Sequence, residues 1–348
     1  MASTVTATAT PSDTFKCDQC LSGLHTCFIC KLDDSNLVKC SYRDCGKYYH
    51  QACANTHPLT IYEDKKLHCP LHLCASCAKG DSKNEKAGVG KLFKCIRCPS
   101  AYHTGDFCIA AGSRIVSGCN IICGDHYHRD KKTASQHSHI NVNWCFNCSL
   151  GGTLVCCETC PAAFHMECLK PEEKPSPDNV WFCNDCKYGV RPRYGDIVWV
   201  KLGSYRWWPS EICHPEHVPL NIQQKSHEIG EFAVHFLGSN DYNWVHRGRV
   251  FAFQDGDKGS KESQKHKNIN KMYKLAIEQA SEGYTQLTLI RENTDQQIAK
   301  ICDSRPKRYK YIKSNLPIPP AKLGKVDVEE IQICDCKPED HVLTTPAV

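Results

Sequence analysis

A chain of 348 residues with 27 cysteines and 18 histidines is far richer in thiol and imidazole groups than a globular enzyme of that size needs. Its net charge of +5 permits contact with DNA or another acidic surface without demanding it. No stretch approaches the roughly 20 apolar residues of a membrane span, and residues 1–11 lack the apolar core and basic flank of a secretory signal. The expectation is a reducing compartment, no membrane partner, and cysteines that bind metal instead of forming disulfides.

Residues 1–16, an Ala/Thr/Ser run, are expected to be disordered, and 17–26 hold the isolated pair Cys17-x-x-Cys20. Three longer units then repeat. The first, 27–73, carries Cys27, Cys30, Cys40, Cys45, His50, Cys53, Cys69 and His72. The second, 74–130, carries Cys74, Cys77, Cys95, Cys98, His103, Cys108, Cys123 and His126. The third, 142–189, carries Cys145, Cys148, Cys157, Cys160, His165, Cys168, Cys183 and Cys186.

Zinc takes four N or S ligands in a tetrahedron at about 2.0–2.3 Å, and a closed set of four leaves no place for water or substrate. Eight ligands per unit therefore imply two structural zincs. The short spacer before the His pair suits a cross-brace, in which first and third pairs share one ion and second and fourth pairs the other. For the third unit this sets Cys145, Cys148, His165 and Cys168 against Cys157, Cys160, Cys183 and Cys186. In units so short the metal carries much of the folding free energy. The interval from His103 to Cys108 is two residues longer than its counterparts, which leaves Cys108 and Cys119 as alternative ligands. Cys156 reads as a small buried residue beside Cys157, and His137 and His139 as solvated loop residues.

Beyond Cys186 the cysteines thin out and aromatic and β-branched residues fill Arg193–Phe253. Tyr194–Lys201 alternates as a strand should, Arg206-Trp207-Trp208-Pro209 follows, and Phe232–Leu237 and Tyr242–Val245 read as later strands. Asn268–Arg291 places Met272, Leu275, Ala276 and Ala280 at helical spacing, predicting one or two helices. Residues 293–330 read as a basic and Pro-rich linker, and 331–348 contain Cys334-Asp335-Cys336.

Four cysteines before the histidine is the order of a PHD finger, whereas a RING finger has its histidine after the third cysteine. Trp181, two positions before Cys183, resembles the core aromatic of PHD fingers, and the Cys-x-x-His endings of the first two units resemble a PHD variant. Gly151–Val155 is similar to the strand on which histone-binding PHD fingers add an H3 peptide. The acidic residues that grip an unmodified lysine are missing at Asn141-Val142-Asn143-Trp144, so a structural or protein-binding finger stands as the alternative.

Residues 191–292 resemble a PWWP domain, with Arg206 where the motif has its first proline. The resemblance implies small zinc-stabilised α+β modules, tandem cross-brace PHD fingers, followed by a five-stranded β-barrel with C-terminal helices. It also implies a methyl-lysine cage of Tyr205, Trp208 and Phe236, with Trp199 and Trp207 in the core. A quaternary ammonium has no donors left and is best held by π faces. Lys201, Arg206, Lys271 and Lys274, with Lys265 and Lys267, are candidate contacts to DNA phosphates, the alternative being a solvated charged face.

The order of modules, with Lys94-Cys95-Ile96-Arg97-Cys98-Pro99 and the run from Trp207 to Pro215, resembles the nuclear receptor-binding SET domain (NSD) family of histone H3 lysine-36 N-methyltransferases. On that resemblance Cys17 and Cys20 end an earlier finger, and Cys334 and Cys336 open the zinc segment that precedes a SET domain. No catalytic residue and no S-adenosylmethionine site is expected. The expected function is a nuclear, non-enzymatic chromatin reader that binds histone H3 tails, methyl-lysine (H3 lysine 36) and nucleosomal DNA without sequence preference. The alternatives are a zinc-finger scaffold for other nuclear proteins and a RING-like E3 ubiquitin ligase, which the histidine order opposes.

Overall fold

The computed structural model describes residues 18–34, 36–79, 83–104, 108–126, 139–176, 180–257 and 267–303. Residues 1–16, Cys17, the side chain of Cys20, His137, Lys265 and residues 304–348 lie outside them, and with them the expectations placed there. The described chain forms two compact units that divide between Cys69 and Pro70.

The first unit holds most of the first finger. Leu37–Lys39 pairs antiparallel with Tyr48–His50, the short helix Gln51–Asn55 follows, and Ile61–Glu63 pairs with Lys66–His68. Phe28, Tyr49, Leu59 and Leu67 supply its small core.

The second unit is organised around one strand. Ile197–Val200 is a run of β-branched and aromatic residues, a composition that favours extended backbone. It lies inside a five-stranded antiparallel sheet whose order is Asp241–His246, Glu231–Phe236, Trp208–Ile212, Ile197–Val200, Val250–Ala252. Val200 opposes both Trp208 and Val250, and Ser210 opposes Phe236. An alternating strand ordinarily has one wet face, but here all four residues are buried. Val198 and Val200 join Ile212, Phe232, Val234 and Val245 on one side. Ile197 and Trp199 face Trp207, Phe251 and Phe253 on the other, under Tyr273, Ala276 and Ala280.

Those last three belong to a single helix, Lys267–Asp303. Its small residues let it approach closely: a Cβ on Gly238, which lies at φ +74°, would come within 2.5 Å of the Met272 carbonyl oxygen. Met272 and Leu275 were expected on the apolar face but point outward, because the sheet-facing stripe is Tyr273, Ala276 and Ala280. The helix also runs past residue 292, so 293–303 are helical and not linker.

The third finger continues the Trp199 core. Val142 and Ala163 are buried in it, and Ile140, Trp144, Phe146 and Leu154 pack against it. The Trp144 ring meets Trp207 and Phe251 edge-on at 6.4 and 5.7 Å, and Gln254 donates to the Phe146 carbonyl at 2.9 Å. The second finger is a four-stranded sheet ordered Ala101–His103, Leu92–Cys95, Asn120–Ile122, Arg114–Ser117. It joins the rest through backbone: Ala111 N–H donates to Pro192, and Gly230 N–H donates to Gly112 at 2.9 Å.

Asp125 of the second finger binds Arg191 at 2.7 Å and also Arg247. Burial pushes its carboxyl up, but the two guanidinium charges outweigh burial and hold it below the usual range. Arg247 further donates to the Thr159 carbonyl and to the Cys186 sulfur, both at 3.3 Å, so one side chain touches both fingers from its place beside the sheet.

Gly112 lies at φ +78°, and a Cβ there would stand 2.7–2.9 Å from the Gly230 backbone. Gly112→Ala is expected to cost about 1–3 kcal/mol. The measurements are the thermal midpoint and hydrogen exchange at Ala111 and Gly230, while the second finger's own strands stay protected. An unchanged midpoint and exchange pattern would contradict this docking.

Candidate zinc centres and aromatic site

Each finger folds so that its first cysteine sulfur accepts a backbone N–H from a later ligand. Cys27 accepts from His50 and Cys40 from Cys69, both at 3.4 Å. Cys74 accepts from His103 and Cys95 from Cys123, both at 3.5 Å. Cys145 accepts from His165 at 3.4 Å and Cys157 from Cys183 at 3.3 Å. These bonds tie the first pair to the third and the second to the fourth, which is the cross-brace.

The donor atoms gather accordingly. Cys27, Cys30, His50 and Cys53 form one group, as do Cys74, Cys77, His103 and Cys108, then Cys95, Cys98, Cys123 and His126, and Cys145, Cys148, His165 and Cys168, each with all atoms within 4.8 Å. Cys40, Cys45 and Cys69 gather in the first unit. Cys157, Cys160, Cys183 and Cys186 share thiol hydrogen bonds.

A zinc tetrahedron with ordinary Zn–S and Zn–N bonds has edges of roughly 3.5–3.8 Å. The S···S separations Cys45–Cys69, Cys77–Cys108 and Cys98–Cys123 are 3.5 Å, and Cys160–Cys183 is 3.6 Å. The S···N separations Cys30–His50, Cys77–His103, Cys95–His126 and Cys148–His165 are 3.3 Å. The sets therefore have close to the size of a zinc site.

Their electrostatics call for a cation. Hydrogen bonds from Cys160, Cys183 and Cys186 hold the Cys157 thiol far below its usual range, while the same crowding pushes Cys183 far above it. Four thiols so close ionise together only around a cation. The histidines are oriented from behind: His103 Nε2 donates to the Val89 carbonyl at 2.7 Å and His165 Nε2 to Gly151 at 3.3 Å, leaving Nδ1 for metal. Among the described residues no disulfide joins the cysteines.

At the sheet, Trp208 is half-buried and its indole N–H donates to the Leu237 carbonyl at 2.9 Å. Phe236 is 8% exposed and lies in the core cluster against which Trp208 packs. Tyr205, on the loop after the central strand, is 69% exposed. The fold thus brings Trp208 and Phe236 together and leaves Tyr205 in solvent. Trp199 and Trp207 are core residues, as expected. Lys271 and Lys274 are exposed on the long helix. Lys201 and Arg206 were read as phosphate contacts but engage the protein: the Lys201 ammonium donates to the Tyr205 carbonyl, and Arg206 donates to Asn270 Oδ1 at 2.7 Å.

Comparison with known proteins agrees with this division. Residues 23–72 match the model "Histone-lysine N-methyltransferase NSD-like, PHD zinc finger" and 74–128 its variant PHD zinc finger. Residues 143–186 match the PHD-finger and 195–285 the PWWP domain. The mouse "Histone-lysine N-methyltransferase, H3 lysine-36 specific" is 44% identical over 331 residues, 95% of this chain and 13% of that protein. Mouse "Histone-lysine N-methyltransferase NSD3" is 40% identical over 386 residues, 96% of this chain and 26% of its own length. Over most of its length the chain is homologous to the NSD-family histone-lysine N-methyltransferases. It spans about an eighth to a quarter of the length of these relatives. The solution structure of the second PWWP domain of WHSC1L1 protein is 52% identical, covering 28% of this chain and 86% of that one, with a TM-score of 0.24.

Some details of these NSD-type modules decide between alternatives that the sequence leaves open, and others differ from its expectation. Of the two candidates that the sequence leaves open, Cys108 lies beside Cys74, Cys77 and His103, and Cys119 is exposed. Cys156 is exposed, because the strand Val155–Cys156 alternates and Cys157 takes the inward position. His139 is not a solvated residue: its Nε2 meets the Cys160 carbonyl at 2.8 Å, and Asn141 donates to Cys157 and Cys160. Neither carries a ligand spacing that would have marked it. Gly151–Leu154 are not strand, which leaves only Val155–Cys156 paired with Ala163–Phe164. Trp181 does brace its finger, meeting Phe164 edge-on at 5.8 Å and donating to the Glu173 carbonyl.

Cys108→Ser is expected to lower the zinc content of the purified chain and unfold the variant PHD finger, whereas Cys119→Ser shifts stability by less than about 0.5 kcal/mol. Metal analysis with thermal melting of both variants tests this, and equal effects would reverse the ligand assignment.

Proposed function

We propose that this chain is a nuclear chromatin reader: its PWWP domain binds methyl-lysine on histone H3, at lysine 36, within nucleosomes. The carrying observation is Trp208 beside Phe236 at the sheet, with Tyr205 exposed on the adjoining loop. Aromatic faces stabilise a methylated ammonium by about 0.5–2 kcal/mol each, depending on desolvation. The exposed Lys271 and Lys274 lie on the helix that covers this end of the sheet, and phosphate contacts there add affinity without reading sequence. Zinc is structural in this reading, two ions per complete finger, and the described residues bind and position while the chain itself catalyses nothing.

Packing favours a structural role for the third finger. Val142 and Trp144 precede its first ligand, where histone-binding PHD fingers keep acidic residues, and here they are packed against the PWWP core. The first finger is the better candidate for an H3 tail or a nuclear protein partner, since Leu37–Lys39 pairs on one side with Tyr48–His50.

Two measurements test the proposal. Native mass spectrometry should find six zincs in the three complete fingers, and four or fewer would refute two per finger. Tyr205→Ala with Trp208→Ala should weaken binding to nucleosomes trimethylated at H3 lysine 36 by about tenfold and remove the difference from unmodified nucleosomes. Methyl dependence that survives the double substitution would place the reader elsewhere.

A further inference from the structure

The position where the PWWP motif has its first proline is occupied by Arg206. Its guanidinium carbon lies 4.0 Å from the centroid of the Tyr273 ring and 5.9 Å from that of Trp208. The two rings meet edge-on at 5.2 Å, so both aromatic groups belong to one patch. Arg206 Nη2 donates to Asn270 Oδ1 at 2.7 Å, and Nη1 is buried with no hydrogen-bond partner among the described residues.

We propose that Arg206 is the domain's own cationic ligand: it rests on the Trp208–Tyr273 patch and competes with a methylated ammonium for Trp208. This deepens the reader function proposed above and rests on Trp208 being part of that site. A cation is held at an aromatic face by the ring quadrupole, whatever its source. A guanidinium tethered to the backbone of residue 206 by three methylene groups is present at a far higher effective concentration than a ligand in solution. Its charge also repels a second cation arriving at the same indole. Yet the hold is light, because one amide oxygen and two rings replace the several acceptors that a buried guanidinium ordinarily requires. Arg206 therefore sets how tightly and how selectively the site takes a cation, and Asn270 positions it.

The probe is tetramethylammonium chloride alone, titrated into the zinc-loaded full chain while the Trp208 indole N–H resonance is followed. Arg206→Ala should bind about fivefold more tightly than the unsubstituted chain. Asn270→Ala, which leaves Arg206 and both rings in place, should shift affinity in the same direction by a smaller factor. Equal or weaker binding by both variants would overturn the proposal, and should Arg206→Ala fail to fold, equal or weaker binding by Asn270→Ala does so alone. The two ideas fail separately. Nucleosome binding that ignores methylation in the unsubstituted chain counts against the reader function, while the effect of Arg206→Ala on tetramethylammonium still decides the role of Arg206.

Discussion

The second unit depends on a strand that cannot be left half-wet. Trp199 fills one face of Ile197–Val200 while Val198 and Val200 fill the other, so the sheet has two cores and needs a cover on each side. The long helix supplies part of one cover with small side chains. The third finger supplies the remainder through Val142, Ala163, Trp144 and Phe146. Full burial of a large apolar side chain contributes about 1.5–3 kcal/mol. A group of this size accordingly binds finger to sheet more firmly than surface ion pairs, which contribute about 0–1 kcal/mol each.

Within the fingers the organising force differs. There is too little apolar material for a core of ordinary size, and the six N–H···S bonds show how the backbone is shaped for metal instead. Each bond joins two ligand pairs that are distant in sequence, so the cross-brace is written in main-chain geometry as well as in sulfur positions. Arg247 extends this to the sheet by donating to the Cys186 sulfur and pairing with Asp125. Metal binding, a buried ion pair and apolar packing thus share a few residues.

What was legible in the sequence follows from how local each signal is. Ligand spacing is a local property, and it anticipates which cysteines and histidines the fold gathers, as where Cys74, Cys77 and His103 meet Cys108 and not Cys119. The aromatic strands were legible for the same reason. Packing between modules was not: Ile197–Val200 looks like half of an alternating pattern, and Asn141–Trp144 looks like an ordinary lead-in to a finger. Burial of both arises from partners far along the chain. His139 carried no spacing at all, and Arg206 looked like any basic residue near a DNA surface until Asn270 and Tyr273 of the helix came alongside it.

The segment between Cys186 and Tyr194 would pass for a tether on composition alone. In the folded chain Arg191 reaches Asp125 and the Asp185, Cys186 and Val190 carbonyls, while Arg193 forms an isolated bridge with Ala110. It is a strut with fixed length. An insertion there would shear Arg191 away from Asp125 and move the finger off Trp207 together, so lengthening is far more disruptive than it would be in a solvated loop. The variant finger, the third finger and the PWWP sheet are therefore packed as one block, and cutting the chain between the third finger and the sheet would expose Trp207 and Phe251 where Trp144 now covers them.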